Sequence, residues 1–306
     1  MSEAIVESLP DRVLTPAALR TLSTRSDRDG TRRLAIHLAA LLITGTGVAF
    51  APGIWVWPAM LIFGLVQVAL FAPAHECMHR TAFASDRLNA IVGWLAAAPS
   101  LLNLDFYRAF HLAHHRHTQS PNNDPELDAV APDNLSGYLL RLSGYAYWEL
   151  RLRVIRDAWL DDLSDYAYIN ADTAGRIIRS VRLMSLMLIV TALLSILVFG
   201  WRTPFLYWII PQLIAQPILR AYLLAEHTGC SFDRNGLTNT RTTLTNPVVR
   251  LLMWNMPFHA EHHLYPSIPF HQLPSAHTQI GDRLVAVQKG YVRWNFSLIR
   301  SLIRQT

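Results

Sequence analysis

The sequence has few of the residues that characterise soluble, disulfide-bonded or nucleic-acid-binding proteins. Charged residues make up only 16% of the 306 positions, and Lys289 is the single lysine. The two cysteines, Cys77 and Cys230, are too few for a disulfide framework, and no Cys-x-x-Cys pair is present. No basic stretch with interleaved aromatic residues indicates binding to RNA or DNA. Residues 1–33 are polar and carry no apolar core, so we expect no cleavable signal peptide.

Apolar residues are abundant instead, at 51% of the chain, which is typical of a membrane protein. Four stretches are long and apolar enough for transmembrane helices: about 34–50, 54–74, 181–199 and 205–225. Turn residues at 51–53 and 200–204 separate the members of each pair. The spans are therefore predicted to form two antiparallel hairpins.

The segment 88–104 is also apolar, but Pro99, Ser100 and Asn103 interrupt it. We interpret it as an interfacial or re-entrant segment, because it is short and broken. With four spans, both chain ends lie on one side of the membrane. The polar segments on that side are rich in arginine, whereas the two turns contain only Arg202, so the positive-inside rule places that side in the cytoplasm.

The predicted fold class is therefore an all-α integral membrane protein with a cytoplasmic helical cap. Its predicted parts are a polar cytoplasmic N-terminal arm (1–33), a membrane domain (34–275) and a C-terminal cytoplasmic tail (276–306). Residues 120–180 are mixed and charged, which is typical of a solvent-facing region.

Most of the histidines fall in three clusters, each next to an apolar stretch. The clusters are His75-x-x-x-His79, His111-x-x-His114-His115 and His259-x-x-His262-His263. On a helix, positions i, i+3 and i+4 share one face, so each cluster can direct two or three imidazoles at one point. All three follow spans that end on the same predicted membrane face, which indicates a shared site.

Converging neutral imidazoles indicate a metal site, because they are good ligands for iron, zinc, copper and nickel. His227 ends the fourth span much as His75 ends the second, so we add it to the set. The nine candidate metal ligands are His75, His79, His111, His114, His115, His227, His259, His262 and His263. One ion takes about four to six ligands, so nine histidines indicate two ions.

The other histidines are interpreted as structural. A lone histidine on an apolar face is more often a hydrogen-bonded core residue than a ligand, and His37, His271 and His277 are assigned on that basis. His117 lies two positions beyond His115, off the shared helical face, and its role is left open.

The histidine clusters are compatible with more than one class of function. Residues 75–79 match the His-Glu-x-x-His pattern of zinc proteases, in which Glu76 would be the general base. An intramembrane zinc protease is thus an alternative, although it leaves the other two clusters without a role. A membrane metal transporter or sensor is a further alternative, and the number and type of bound ions would separate these classes from a two-ion enzyme.

The order of the three histidine clusters, with two membrane hairpins carrying them, resembles the membrane-bound fatty acid desaturase and hydroxylase superfamily. The second cluster continues through His117-Thr118 to Asn123-Asp124-Pro125-Glu126, which is similar to bacterial members. The stretch 225–229 and the run from Trp254 to Pro266 are also similar to them. The resemblance covers roughly residues 34–275 and is more specific for the superfamily than for a substrate.

The resemblance implies two Fe ions and O2 as co-substrate, with oxidation of an unactivated C–H bond in a lipid-like substrate. Desaturation of a fatty acyl chain is the leading expectation, and hydroxylation or ketolation of a lipid, carotenoid or alkane is the alternative. No iron–sulfur or Gly-x-Gly-x-x-Gly motif is present, so a separate electron donor, ferredoxin or cytochrome-like, with its reductase, is the expected partner. The expected location is a bacterial inner membrane.

Four residues are candidates for orienting the ligands through hydrogen bonds: Asp124, Glu226, Glu261 and Asn255. The physical reason is that a metal-binding histidine usually donates its second N–H to a carboxylate or carbonyl. Arg80, Arg108, Arg116 and Arg241 are candidates for an anionic head group, but the positive-inside rule explains them equally well, and no role is assigned to them.

Overall fold

The computed structural model describes residues 13–128 and 131–304, and residues 1–12 of the predicted arm lie outside the described part. The described chain is mostly helical, and it also contains two three-residue strands that the all-α prediction omits. The first eight helices are α1 (Pro16–Leu22), α2 (Asp27–Phe50), α3 (Val56–Val68), α4 (Phe71–His79), α5 (Asp86–Ala97), α6 (Leu104–His117), α7 (Leu135–Ser143) and α8 (Tyr145–Trp159). The remaining elements are α9 (Ala171–Phe199), α10 (Ile210–His227), β1 (Thr242–Leu244), α11 (Pro247–Leu252), α12 (His259–Leu264), α13 (Leu273–Ile280), β2 (Val287–Lys289) and α14 (Tyr291–Arg304).

Four helical segments are long and apolar enough to cross a membrane: Asp27–Phe50, Gly53–His79, Ala171–Phe199 and Phe205–His227. Each contains one of the predicted apolar stretches. A fifth candidate, the pair formed by Asp86–Ser100 and Leu104–His117, is bent by 93° at its break. The break falls at Leu101–Asn103, in the stretch whose polar and proline residues argue against a straight span.

Local sequence explains where the spans begin and end. The Ser26 side chain accepts a hydrogen bond from the backbone N–H of Asp29 and so caps the N-terminus of α2. Asn170 caps α9 in the same way at Thr173. Gly200 follows α9 with φ 92°, a conformation that glycine adopts without the strain of a Cβ atom.

The outer surfaces of α2 and α9 are apolar. Leu42 and Ile43 on α2 are 72% and 70% exposed, and Leu197 on α9 is 81% exposed. Exposure of this kind would be costly in water, but it is favourable where side chains contact lipid.

Close packing of α3 against α10 brings the ends of two spans together. A Cβ atom on Gly64 would lie 2.2 Å from the carbonyl oxygen of Pro211, so only glycine permits this approach. The contact places the α3–α4 segment, which ends at His79, beside α10, which ends at His227. The first histidine cluster and His227 thereby emerge next to each other.

A similar contact positions α4, α5 and α6. A Cβ atom on Gly93 would lie 2.5 Å from the Cβ of Cys77 and 2.9 Å from Leu104. The helix α6 then packs on α8 and α9 through a core that includes Phe106, Val154 and Ile177. One face of α8 is therefore buried, and the prediction that residues 120–180 face solvent is wrong for this face.

The predicted C-terminal tail contains ordered structure that contacts the rest of the chain. Strand β2 pairs in parallel with β1, with Gln288 aligned to Thr243. The helix α14 buries Trp294 and Leu302 against Tyr138 and Leu224.

Candidate metal centre

Four helices supply the nine histidines that the sequence nominates. The end of α4 carries His75 and His79, α6 carries three, α10 ends at His227, and α12 carries three. The structure brings all nine imidazoles into one continuous cluster of ring contacts. The two His-x-x-His-His repeats therefore face each other.

Five of these histidines could hold one ion, and we call them the five-histidine group: His75, His79, His111, His115 and His262. Their Nε2 atoms form a chain of short contacts. The Nε2 of His111 lies 2.9 Å from that of His75 and 3.0 Å from that of His115. The Nε2 of His262 lies 3.2 Å from those of His79 and His115.

Hydrogen bonds between the imidazoles cannot fully satisfy this arrangement. A neutral imidazole Nε2 carries either one proton or one lone pair, so it cannot both donate and accept. If His111 accepts from His75, its single lone pair must be shared with His115, and the same limit applies at His262. A cation that is bound by the Nε2 lone pairs of several imidazoles removes this conflict. The donor set thus fits a metal ion.

Three more histidines could hold a second ion, and we call them the three-histidine group: His114, His227 and His263. The ninth histidine, His259, adjoins this group, with its Nε2 3.2 Å from the Nε2 of His227. The two groups touch where the rings of His115 and His263 stack with centroids 4.1 Å apart.

Hydrogen bonds orient each member of the three-histidine group through its Nδ1 atom. The Nδ1 of His114 lies 2.9 Å from Oδ1 of Asp124. The Nδ1 of His227 lies 3.2 Å from the carbonyl oxygen of Asn239, and the Nδ1 of His263 lies 3.2 Å from the hydroxyl of Thr118. These contacts direct Nε2 towards the shared point, as in metal-binding histidines.

Asp124 is held in a tight turn after α6. Besides His114, it accepts hydrogen bonds from the backbone N–H groups of Gln119 and Glu126, at 2.8 and 2.9 Å. Burial opposes ionisation, but these hydrogen bonds from His114 and the backbone lower the pKa of Asp124, which keeps it a carboxylate. The negative charge of Asp124 favours binding of a cation by the neighbouring imidazoles.

The other three predicted orienting residues make different contacts. Oε2 of Glu226 lies 3.6 Å from Nε2 of His259, so this carboxylate faces the centre itself. The Glu261 carboxylate accepts hydrogen bonds from Thr242 and His277, and it forms none with either histidine group in the described residues. Asn255 donates to the carbonyl of Phe270 at 3.0 Å, which orders the loop before α12.

Glu76 is fully buried beside the first cluster. Its Oε2 accepts hydrogen bonds from the hydroxyl of Thr81 at 2.8 Å and from the N–H of Phe270 at 3.1 Å. Its Oε1 lies 3.7 Å from Nδ1 of His75, on the side of the ring away from the Nε2 contacts. Glu76 thus links α4 to the loop after α12.

Two residues near the centre were not predicted from the sequence. Oε1 of Glu126 lies 3.5 Å from Nδ1 of His111, and Oε2 lies 3.8 Å from Nε2 of His114. These three residues form a third set that could hold an ion. Gln119 donates to the carbonyl of His227 at 2.8 Å and so joins α6 to α10. The available signal in the sequence was their proximity to Asp124: Glu126 lies two positions after it, and Gln119 lies five positions before it.

The remaining histidines lie outside both groups. His37 bonds the carbonyl of Val66 at 2.9 Å in the interior. His277 bonds Glu261, and this hydrogen bond raises the pKa of His277. Among the described residues, the candidate ion-binding sets include neither His117 nor His271.

A cavity of about 330 Å³ adjoins the centre, and His75, His111 and His259 form part of its wall. Aromatic side chains cover the adjacent wall, including Phe71 and Tyr107. The volume is at the lower end of the range for cavities that hold small-molecule ligands. A ligand in this cavity would lie against the imidazoles.

Comparison with known proteins gives consistent matches. The profile described as "Fatty acid desaturase" matches residues 16–295. The chain is 23% identical over 269 residues to the sn-1 oleoyl-lipid 12-desaturase of Picosynechococcus sp., covering 81% of this chain and 75% of that protein. It is 27% identical over 260 residues to the dihydrorhizobitoxine desaturase of Bradyrhizobium elkanii, covering 79% and 73%. It is 24% identical over 267 residues to a chloroplastic omega-6 fatty acid desaturase of Glycine max, covering 82% and 61%.

Proposed function

The chain belongs to the fatty acid desaturase family, and we propose that it uses two iron ions and O2 to desaturate an acyl chain of a lipid-like substrate. The observation that carries this proposal is the pair of adjoining histidine groups, the larger of which brings five Nε2 atoms into contacts that hydrogen bonds cannot fully satisfy.

We propose that the five-histidine group holds one ion, and that the three-histidine group with His259 holds the other. Imidazole is a suitable ligand for iron, and nine ligands are too many for one ion. When bound, the two irons would supply the O2-derived oxidant that removes hydrogen from an unactivated C–H bond. Asp124, the carbonyl of Asn239 and Thr118 hold their histidines in the orientation that binding requires.

The chain's own residues would position the substrate and exclude water. A chain bound in the cavity would lie against the aromatic side chains of Phe71 and Tyr107 and the imidazoles of His75, His111 and His259. An apolar surface next to the reacting carbon limits water entry and side reactions. Small shifts of the C–H bonds relative to the centre decide between removal of a second hydrogen and transfer of oxygen.

The proposed topology has two hairpins and puts the termini and the histidines on the cytoplasmic side of a bacterial inner membrane. The support is the arginine distribution: Arg202 is the only charged residue in the two turns that would face the other side. On this side a separate electron donor, ferredoxin or cytochrome-like, with its reductase, would deliver the two electrons that each cycle consumes.

Hydroxylation or ketolation of a lipid, carotenoid or alkane is the second candidate, because the same centre and cavity would serve it. An intramembrane zinc protease has less support. Its general base would be Glu76, but this carboxylate already accepts two hydrogen bonds and lies on the Nδ1 side of His75.

The test is lipid mass spectrometry of cells that express the chain under ¹⁸O2, with the His111→Ala variant as control. Desaturation predicts products two mass units lighter that carry no ¹⁸O, and hydroxylation predicts products that carry one ¹⁸O atom. The variant should give neither, because His111 contacts two other members of its group. Iron analysis of the purified protein should give two ions per chain. One zinc per chain, together with O2-independent proteolysis, would refute the proposal.

A further inference from the structure

The cavity beside the histidines is also lined by Arg141, Arg151 and Arg220. The helices α8 and α10 bring two of them onto the same aromatic ring. The guanidinium carbons of Arg151 and Arg220 lie 4.9 and 4.3 Å from the ring centroid of Tyr147. Two cations are therefore held close together at one part of the wall.

Arg151 is buried and Arg220 is half-buried, and neither forms an ion pair within the described residues. Arg151 is only 7% exposed, although it lies in the region whose charges suggested contact with solvent. Within residues 13–128 and 131–304, no hydrogen bond or ion pair satisfies the guanidinium of Arg151 or Arg220, and the Nε atom of each is buried without a partner. A buried charge of this kind is costly unless an anion compensates it.

The acids of the same cavity either contact other residues or are exposed. Glu149 forms an ion pair with Arg153 at 2.9 Å. Glu126 lies against His111 and His114, and Glu226 lies against His259. Asp128 and Asp165 are exposed. No carboxylate of the described chain forms an ion pair with Arg151 or Arg220, although the charges of Glu126 and Glu226 act on Arg220 from a longer distance.

Other arginines near the centre behave differently. Arg108 donates to the carbonyl of Met78, and Arg241 donates to the carbonyls of Ala225 and Thr228. These guanidinium groups form hydrogen bonds with backbone carbonyls and are not free to bind a ligand. Tyr147 donates its own hydroxyl to the carbonyl of Ser100 at 2.6 Å, so it supplies a fixed platform for the two guanidinium groups.

We propose that Arg151 and Arg220 bind an oxyanion of the substrate, which is a carboxylate or a phosphate. The two arginines form one part of the cavity wall, and the histidine centre forms another. This inference rests on the proposed oxidation of an acyl substrate in that cavity. Arginine suits the role because its planar N–H donors match a carboxylate or phosphate in bidentate fashion. The substrate is thereby an acidic amphiphile, and its anion fixes which carbon lies at the centre.

The test is a binding titration of the iron-loaded, purified protein with three probes at octyl and octadecyl chain lengths: the free acid, the alkyl phosphate and the methyl ester of the acid. At one or both lengths, at least one anion should bind about tenfold or more tightly than the ester, as expected for charge-assisted hydrogen bonds. Preference for the acid identifies a carboxylate substrate, and preference for the phosphate identifies a phosphorylated one.

Arg151→Gln and Arg220→Gln should each reduce this preference about tenfold, while Arg151→Lys should keep part of it. The matched control is Arg156→Gln on the same helix, whose side chain is 63% exposed and does not line the cavity. It should keep the full preference. Without ligand, the two Gln variants should unfold at or above the wild-type temperature, because each removes a charge that has no ion-pair partner.

Equal binding of the ester and both anions, or a preference that the Gln variants retain, would overturn the inference. Lower unfolding temperatures for the Gln variants with an unchanged preference would assign the arginines a structural role instead. Iron content and unsaturated product are measured in the same preparations. If the wild type makes no unsaturated product, the proposed function fails. The binding preference still tests whether Arg151 and Arg220 bind an anion.

Discussion

The two histidine groups are built in different ways. In the five-histidine group, the Nδ1 atoms of His75, His111, His115 and His262 have no hydrogen-bond partner within the described part of the chain. In the three-histidine group, each Nδ1 faces an oxygen atom, supplied by Asp124, Asn239 or Thr118. Helix geometry and close packing position the first group, whereas single hydrogen bonds from turns and loops position the second.

The difference indicates which changes each group can tolerate. Residues at i and i+4 on one helix stay aligned as long as the helix is intact, so His75–His79 and His111–His115 need little outside support. The members of the three-histidine group come from three separate helices. Their alignment depends on the turn after α6 and on the approach of the chain at Asn239. We expect the five-histidine group to depend on its own ligands and the three-histidine group to depend also on its neighbours.

The largest effect is expected for His262→Ala. His262 is the only member of the five-histidine group that α12 contributes, and its Nε2 contacts those of His79 and His115. Its loss should abolish O2-dependent oxidation and lower the iron content, as measured by product analysis and metal analysis. The protein should still insert into membranes, because the spans are unchanged. His117→Ala serves as the control and should keep both irons. Full activity of His262→Ala would contradict the proposed ligand set.

A smaller effect is expected for Asp124→Asn, which tests the dependence of the three-histidine group on its neighbours. The amide keeps the size of the side chain but loses the negative charge and one of the two acceptor oxygens. Iron affinity at this group should fall about 10- to 100-fold, while the other group keeps its iron. Chelator titration followed by metal analysis measures the two sites separately. Asp128→Asn, an exposed change in the same turn, is the control. Equal loss from both groups would show that they are not independent.

The same contrast explains what could be predicted from the sequence. Hydropathy predicts the four long helices, because a span needs about 20 apolar residues regardless of what it packs against. The repeated His-x-x-His-His pattern predicts which histidines share a face, because the helical period is fixed. His227 could be added because it ends a span as His75 does. For these features the local pattern contains the relevant geometry.

The contacts that depend on loops could not be predicted in this way. Asp124 reaches His114 because the turn between them includes Gln119 and Asn122 at φ 60° and 66°, which no local pattern specifies. Adjacency in the sequence is also a poor guide to side-chain contacts on a helix, because neighbouring residues point about 100° apart. Glu261 precedes His262, yet it bonds Thr242 and His277.

Buried charge was the hardest feature to predict. The helix α8 has charges on several sides, and only its rotation against α9 and α10 decides which of them enter the cavity. Arg151 is 7% exposed, whereas the side chain of Arg156 is 63% exposed. Both arginines lie on this same arginine-rich helix, and the sequence alone does not distinguish them. The positions that matter for binding emerge only from the packing.

The smallest effect is expected for Glu76→Gln, which tests whether the five-histidine group needs a charged neighbour. Glu76 accepts hydrogen bonds from Thr81 and from the N–H of Phe270 through one oxygen, and the glutamine carbonyl can accept both. Activity and iron content should therefore stay within about threefold of wild type, since no hydrogen bond to a candidate ligand is lost. Glu76→Ala, which removes the acceptor, should instead lower the unfolding temperature, because it leaves the buried N–H of Phe270 unpaired. A loss of activity in Glu76→Gln as complete as that in His262→Ala would mean that the carboxylate takes part in the chemistry. It would also return the zinc protease to consideration, because a general base cannot be replaced by an amide.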